Sequence, residues 1–245
     1  MARAEGSSHS RIEAVDIART IALAGMVVFH FTRDLEDFGL IAAGTTVQGV
    51  WWYFARAVAG SFLFLAGVSL WLAHGQGIRW PGFLRRLAML VAAAGLVTLA
   101  TWVALPWGFV HFGILHSIAV CSVIGLAFLR LPAAVTLLAA AGAVALAYVG
   151  PFPTFDTPWL WWTGLAPYVR PSIDFEPVFP WLAPLLAGIA SARIADRAGL
   201  WERTAGWRGP VLRALGWPGR HSLAIYLIHQ PVLIGGLWLA LQLLG

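Results

Sequence analysis

The sequence has no lysine, only one cysteine and few charged residues of either sign. Charged residues make up 11% of the 245 positions, and all 16 basic residues are arginines. A soluble domain of this length needs far more charge to cover its surface, so a soluble globular protein is excluded. Because Cys121 is the single cysteine and lies in an apolar stretch, a disulfide within the chain and a thiolate metal site are excluded too. The sequence also lacks a Gly-rich phosphate loop, a Gly-x-Ser-x-Gly turn and a His-Glu-x-x-His zinc motif.

Long apolar runs fill the sequence instead. Hydrophobic residues make up 60% of the chain, and the mean hydropathy is +0.78. A helix needs about 20 mainly apolar residues to cross the hydrocarbon core of a bilayer. Seven stretches approach that length: 14–33, 51–73, 83–104, 112–129, 132–149, 177–195 and 221–243. They predict an all-α, polytopic membrane bundle of about seven transmembrane helices, formed as one domain by residues 11–245, with residues 1–10 disordered.

The arginines predict the orientation of this bundle, because basic residues concentrate in cytoplasmic loops. Arg33 and Arg170 lie in the loops of one side, and Arg56 lies in the second span. The others fall on the opposite side: Arg3, Arg11, Arg19, Arg79, Arg85, Arg86, Arg130, Arg193, Arg197, Arg203, Arg208, Arg213 and Arg220. This asymmetry places the N-terminus in the cytoplasm and the C-terminus outside, in a bacterial inner membrane. The expected partners of the basic side are membrane lipids and not nucleic acid.

Two connections are long enough to form structure of their own. Residues 150–176 hold five prolines and a tryptophan-rich run, and are expected to lie along the outer interface with a short helix. Residues 196–220 are basic and contain three tryptophans, which predicts an amphipathic segment on the inner leaflet.

The first span carries several ionisable residues, which are costly inside a membrane and point to function. Asp16 and Arg19 are three residues apart and can pair on one helix face. At about 100° per residue, His30 returns to within roughly 20° of Arg19, and Asp34 follows one turn later. One face of the helix therefore carries polar groups from one interface to the other. The alternative is a structural ion pair with an unrelated interfacial histidine.

Later spans contribute three more histidines. His111 and His116 are assigned to the fourth span, where a five-residue spacing turns them about 140° apart and forms no metal pair, so no metal site is expected. His116 is expected to face the interior. His229 precedes Pro231, which interrupts the helical hydrogen-bond ladder, so this histidine either has a functional role or satisfies a freed carbonyl.

These residue types permit one kind of chemistry. A histidine can take a proton from an amine or hydroxyl, or carry an acyl group itself, and Asp34, Asp174 or Glu176 can orient its ring. Arg85 and Arg86 suit phosphate groups, although the cytoplasmic bias of arginine explains them equally well.

Five segments carry a family resemblance when they are read together. They are the run from Arg11 to His30, residues 62–70, residues 112–119, Phe179–Trp181 followed by Gly188, and residues 219–231. In order and spacing they resemble the heparan-alpha-glucosaminide N-acetyltransferase catalytic-domain family, from about residue 11 to 235. The last segment resembles the final helix of membrane acyltransferases more broadly.

The resemblance implies an acyl-coenzyme A donor reached from the cytoplasm and an acceptor on the far side of the membrane. The animal enzyme acetylates the amine of a terminal glucosamine with a histidine at the non-cytoplasmic face. In that enzyme the histidine lies in the loop after the first shared span, which ends in asparagine. This chain has His30 at the asparagine position and no histidine in residues 31–50. Either His30 has taken over the role or the chemistry differs.

The prediction is a membrane acyltransferase that moves an acetyl or similar acyl group to an amine or hydroxyl of a sugar or small acceptor outside. Acetyl-coenzyme A is its donor substrate, no cofactor is permanently bound, and homo-oligomerisation is left open. The residues expected at the site are His30, His116 and Asp34 for catalysis, and Asp16, Arg19, Arg85 and Arg86 for the donor. A non-catalytic carrier or lipid-handling protein is the alternative, and a structural subunit whose polar stripe binds a partner helix is a third.

Overall fold

The computed structural model describes residues 12–207 and 209–244, so the prediction for residues 1–10 lies outside the described residues. The described chain is helical, with an isolated bridge between Phe112 and Phe175 as its one β-type pairing. The helices are α1 (Glu13–Asp37), α2 (Gly49–His74), α3 (Trp80–Ala104), α4 (Ile114–Leu126), α5 (Ala133–Val149), α6 (Val178–Arg197), α7 (Leu200–Ala205), α8 (Pro210–Arg220) and α9 (Ser222–Leu244).

All seven predicted apolar segments are helical, which confirms the all-α class. Five helices of the described chain, α1, α2, α3, α6 and α9, are long and apolar enough to cross a membrane. The two other segments form shorter apolar helices, α4 with 13 residues and α5 with 17. At about 1.5 Å per residue α4 extends only about 20 Å, which is less than the hydrocarbon core. These long apolar helices identify the chain as an integral membrane protein.

The two long connections contain short helical segments, as the sequence predicted. Residues 150–176 contain two 3₁₀ turns, Pro153–Phe155 and Pro158–Thr163. The basic segment that follows α6 forms α7 and α8.

The chain divides into two compact units. The first consists of residues up to Val58 and from Ala195 onward, and the second of residues Ala59–Ile194. In the first unit α1 packs against both α8 and α9.

Two hydrogen bonds made by the Thr20 hydroxyl hold α8 against α1. The hydroxyl of Thr20 donates to the carbonyl of Leu215 at 2.8 Å and accepts the amide N–H of Gly219 at 2.9 Å. A side chain at position 219 would overlap the backbone carbonyl of Asp16. The close approach of the two helices therefore depends on a glycine at this position.

In the second unit α2 and α6 cross through two glycines. A Cβ on Gly67 would overlap the carbonyl of Leu185, and a Cβ on Gly188 would overlap the carbonyl of Phe64. Leu185 and Ile189, beside this crossing, are fully buried. Small residues allow such backbone contact between helices in membranes, where packing rather than the hydrophobic effect holds helices together.

A second feature of this unit is the pairing of two connections. The amide of Ile173 donates to Gly108 O at 2.8 Å, and the amide of Glu176 donates to Phe112 O at 3.0 Å. The guanidinium of Arg170 donates to Pro106 O at 2.8 Å. These bonds fix the segment before α6 along the segment before α4.

Candidate functional site

The N-terminal half of the polar face on α1 contains an ion pair, as the spacing of its residues predicted. Arg19 Nη1 lies 3.0 Å from Asp16 Oδ1. Asp16 is 3% exposed, and Gly216 and Gly219 of α8 lie against it. Leu23 and Met26, on the same face of α1, are also buried, so this face packs against protein rather than lipid.

At the other end of α1, His30 meets a histidine from α9. The ring centroids of His30 and His229 are 4.8 Å apart, with the ring planes inclined by 64°. His229 is 8% exposed, whereas His30 is half-buried. The two rings therefore form one site with a buried member and a half-buried member.

The hydrogen bond of His229 determines its neutral tautomer. Its Nδ1 lies 2.5 Å from the backbone oxygen of Tyr226. A carbonyl oxygen only accepts, so Nδ1 carries the proton and Nε2 keeps its lone pair. Nε2 is buried and has no hydrogen-bond partner among the described residues.

Asp34 completes this cluster through a different partner from the one expected. Its Oδ1 accepts a 2.6 Å bond from Gln230 Nε2, across 196 positions of sequence, and the carboxylate does not bond His30. Asp34 Oδ2 and Gln230 Oε1 are buried without partners in the described chain. A buried polar atom left unpaired costs about 1–3 kcal/mol, so the unpaired atoms of this cluster require a physical explanation.

The loop after α1 is fastened to the end of that helix. Glu36 accepts hydrogen bonds from the amides of Gly44 and Thr46 at 2.6 and 2.8 Å, and from the Thr46 hydroxyl at 2.7 Å. Arg33 Nη1 also contacts the Thr46 hydroxyl, which is buried. The loop is therefore held in place over the C-terminal end of α1. Because α1 continues to Asp37, both Arg33 and Asp34 belong to the helix rather than to the loop.

His116 lies in the second unit, and both of its ring nitrogens are engaged. Nδ1 accepts the amide N–H of Gly113 at 3.3 Å, so the neutral ring carries its proton on Nε2. Nε2 lies 3.4 Å from the Thr98 hydroxyl, which donates its own hydrogen to Val110 O. The ring thus caps the start of α4.

His111 was wrongly assigned to the fourth span, because α4 begins only at Ile114 and His111 precedes it in a non-helical segment. The helical angle between His111 and His116 therefore does not apply. His111 instead contacts the rings of Phe175 and Trp161, at 5.2 and 5.9 Å between centroids. Burial lowers the pKa of His111, and the nearby Arg170 lowers it further.

Asp174 does not orient a histidine ring. Its Oδ2 accepts the amide N–H of Ile114, the first residue of α4, at 3.2 Å. Burial raises the pKa of Asp174, and the bond from Ile114 opposes that shift.

The two arginines predicted to bind donor phosphates have different surroundings. Arg85 is exposed in the second turn of α3, whereas Arg86 is half-buried. Arg86 borders a small cleft whose other residues are Leu70, Phe83, Leu87, Leu90 and Ser122. Arg86 is therefore the one of the pair beside a concave surface.

The structure brings His30 and Asp34 into one cluster with His229 and Gln230, and pairs Asp16 with Arg19 along the same helix. His116, Arg85 and Arg86 belong to the other unit. Gln230 was missed by sequence reasoning although it lies between His229 and Pro231 in a segment that carries the family resemblance. A polar amide in an apolar span was the signal that could have identified it.

Helices that can cross a membrane define the chain as a polytopic membrane protein, and a cluster of histidine, carboxylate and amide side chains lies between two of these helices. Comparison with protein families gives the class of activity. The model of the heparan-alpha-glucosaminide N-acetyltransferase catalytic domain matches residues 11–231, so the chain belongs to this family, whose activity is of the membrane acyltransferase type. Comparisons with curated proteins and with solved structures gave no match.

Proposed function

We propose that this protein transfers an acetyl or similar acyl group from cytoplasmic acyl-coenzyme A to an amine or hydroxyl of a sugar or small acceptor on the outer face of a bacterial inner membrane. The observation that carries the proposal is the family match over residues 11–231. The proposal includes seven membrane crossings, with the N-terminus in the cytoplasm and the C-terminus outside. The arginine distribution supports this orientation.

His30 is the residue we propose for the acyl-transfer step. His30 is half-buried and lies toward the C-terminal end of α1, which is the outer end in the proposed orientation and suits an acceptor from that side. An imidazole attacks a thioester as a nucleophile or removes a proton from the attacking amine. His116 is the weaker candidate, because the amide of Gly113 and the hydroxyl of Thr98 already engage both of its nitrogens.

Asp34 supports His30 indirectly in this proposal. Its bond to Gln230 joins α1 to α9 one turn beyond His30. This connection holds the segment of α9 that places His229 against the His30 ring.

On the cytoplasmic side, we propose that Arg19, Arg85 and Arg86 interact with the donor. Coenzyme A carries phosphate groups, which guanidinium groups bind with charge-assisted hydrogen bonds. Asp16 holds Arg19 at 3.0 Å and so restricts its rotamers. The cleft beside Arg86 offers apolar walls to the parts of the donor that carry no charge.

The test uses purified protein in lipid nanodiscs, acetyl-coenzyme A labelled in the acetyl group, and a panel of amino sugars. Wild type and His30→Ala are compared for transfer of label to the sugar or to the protein, and for donor affinity. We expect label transfer only in wild type and similar donor affinity in both proteins. His221→Ala is the matched control, since His221 is an exposed histidine in the same unit.

Each result has a separate meaning. Label on the protein in the absence of acceptor makes His30 the acyl carrier, and label only on the sugar makes it a base. Donor binding without transfer in either protein would contradict the enzyme and favour the carrier. Neither binding nor transfer would favour a lipid-handling or structural protein.

A further inference from the structure

Three buried atoms near His30 have no role in the proposed function as described so far. His229 Nε2, Gln230 Oε1 and Asp34 Oδ2 are all buried without hydrogen-bond partners in the part of the chain that is described. They belong to neighbouring residues of α9 and to the turn of α1 that faces them, since Gln230 and Asp34 are bonded to each other. The ring of His30 contacts His229 directly. The cluster therefore joins a half-buried histidine to a second, buried one.

Pro231 does not account for His229. A proline leaves without a partner the carbonyl four residues before it, which is that of Leu227. His229 Nδ1 donates instead to the carbonyl of Tyr226. Filling the gap left by the proline is therefore not what this side chain does.

The bond from Nδ1 to Tyr226 leaves the Nε2 atom of His229 available to act as a base. With the proton on Nδ1, the lone pair of Nε2 is available inside the protein, and no described donor occupies it. The same arrangement, in which a carbonyl fixes one nitrogen so that the other can accept a proton, is what a general base requires. The ring that His229 touches is the one proposed to react.

We propose that His229 is the base that removes a proton from His30 while His30 carries the acyl group. This inference rests on the proposed function. One nitrogen of His30 attacks the thioester carbonyl, the new N–C bond forms and the C–S bond breaks. The proton on the other nitrogen of His30 passes to His229 Nε2 and then to the departing thiolate, which leaves as free coenzyme A. The acceptor amine then attacks the acyl group, the N–C bond to His30 breaks, and the amine proton returns through His229 to the His30 ring.

Gln230 and Asp34 act as positioning residues in this scheme. Their 2.6 Å bond ties α9 to α1 at the residue next to His229. Because the two histidine rings are in contact rather than hydrogen-bonded, a small movement is needed for proton transfer. Catalytic hydrogen bonds are often long in unliganded enzymes and shorten when substrate binds.

The variant that tests the inference is His229→Asn, whose side-chain amide can still donate to Tyr226 O but offers no basic nitrogen. We expect single-turnover label transfer from acetyl-coenzyme A to fall about 100- to 10,000-fold, with donor affinity unchanged. The rate should also lose the part of its pH dependence that the base contributes in wild type. His229→Gln is a second variant without a base, and is expected to show the same loss.

His221→Asn is the matched control, because His221 Nδ1 makes the same type of bond to a backbone oxygen, that of Trp217 at 2.9 Å, at an exposed position. It should keep the wild-type rate and pH dependence. Active wild type with an equally active His229→Asn, unchanged in pH dependence, would overturn the role of His229 and leave the proposed function intact. Absence of transfer in wild type itself would instead overturn the proposed function, and this inference with it.

Discussion

The side chain of Asp174 shows how a carboxylate can stabilise the start of a helix although burying it is costly. Asp174 accepts the first amide N–H of α4, but burial raises its pKa above the ordinary carboxyl value. The folded state therefore holds the proton more tightly than the unfolded chain. The resulting contribution to stability is present below the unfolded pKa and is lost as pH rises through the raised folded pKa.

This sign gives a prediction for Asp174→Asn, which keeps an acceptor oxygen for Ile114 and removes the charge. The thermal midpoint of wild type in detergent should be higher at about pH 5 than at about pH 8, and the variant should reduce that difference. Asp174→Ala, which loses the acceptor as well, should destabilise the protein by about 1 kcal/mol. Equal pH dependence in wild type and Asp174→Asn would contradict the assignment.

At the scale of helices, two glycines decide how α2 and α6 meet. Gly67 and Gly188 each face the backbone of the other helix, so a larger residue cannot be accommodated by turning a side chain. Both glycines lie in the segments that carry the family resemblance. The close crossing gives a physical reason for glycine in each of these segments.

Gly67→Ala and Gly188→Ala should each destabilise the protein by more than the roughly 1–3 kcal/mol typical of an overpacked core, because the obstacle is main chain. The measurement is the thermal midpoint, with the monodisperse yield in detergent as a second readout. Gly142→Ala in α5 and Gly95→Ala in α3 are matched controls, since a Cβ at either position meets no atom within 4 Å. Controls as unstable as the crossing variants would refute this account.

For the whole molecule, the two short apolar helices α4 and α5 distinguish a topology of five membrane crossings from one of seven. The N-terminus lies on the same side of the membrane with five crossings as with seven, and the same holds for α6 and for the C-terminus. Only the connection between α4 and α5 changes side. Residues 127–132 are therefore the segment that distinguishes the two topologies.

A cysteine at Leu131, an exposed residue of that connection, tests the proposed seven crossings. In a Cys121→Ala background, Leu131→Cys should react with a membrane-impermeant thiol reagent only after the membrane is opened. Asp156→Cys, at an exposed position after α5, should react from outside in intact cells and serves as the control. Labelling of Leu131→Cys in intact cells would establish five crossings.

The features that the sequence by itself determined are those that depend on neighbours along one helix. The lengths of the apolar runs located all seven helical segments to within a few residues, since each run must satisfy its own backbone bonds. The three-residue spacing determined the Asp16–Arg19 pair in the same way. His111 was wrongly assigned to a helix because α4 begins later than the apolar run that predicted it.

Only the tertiary structure decided which residues from distant helices meet. Asp34 bonds Gln230 across 196 positions, and Thr20 bonds Leu215 across 195. No periodicity within one helix carries that information, because it depends on how two helices are rotated and how far they slide along each other. For the same reason, the sequence suggested Asp34, on the same helix, as the partner of His30. The packing of α9 on α1 brings His229 to the His30 ring instead.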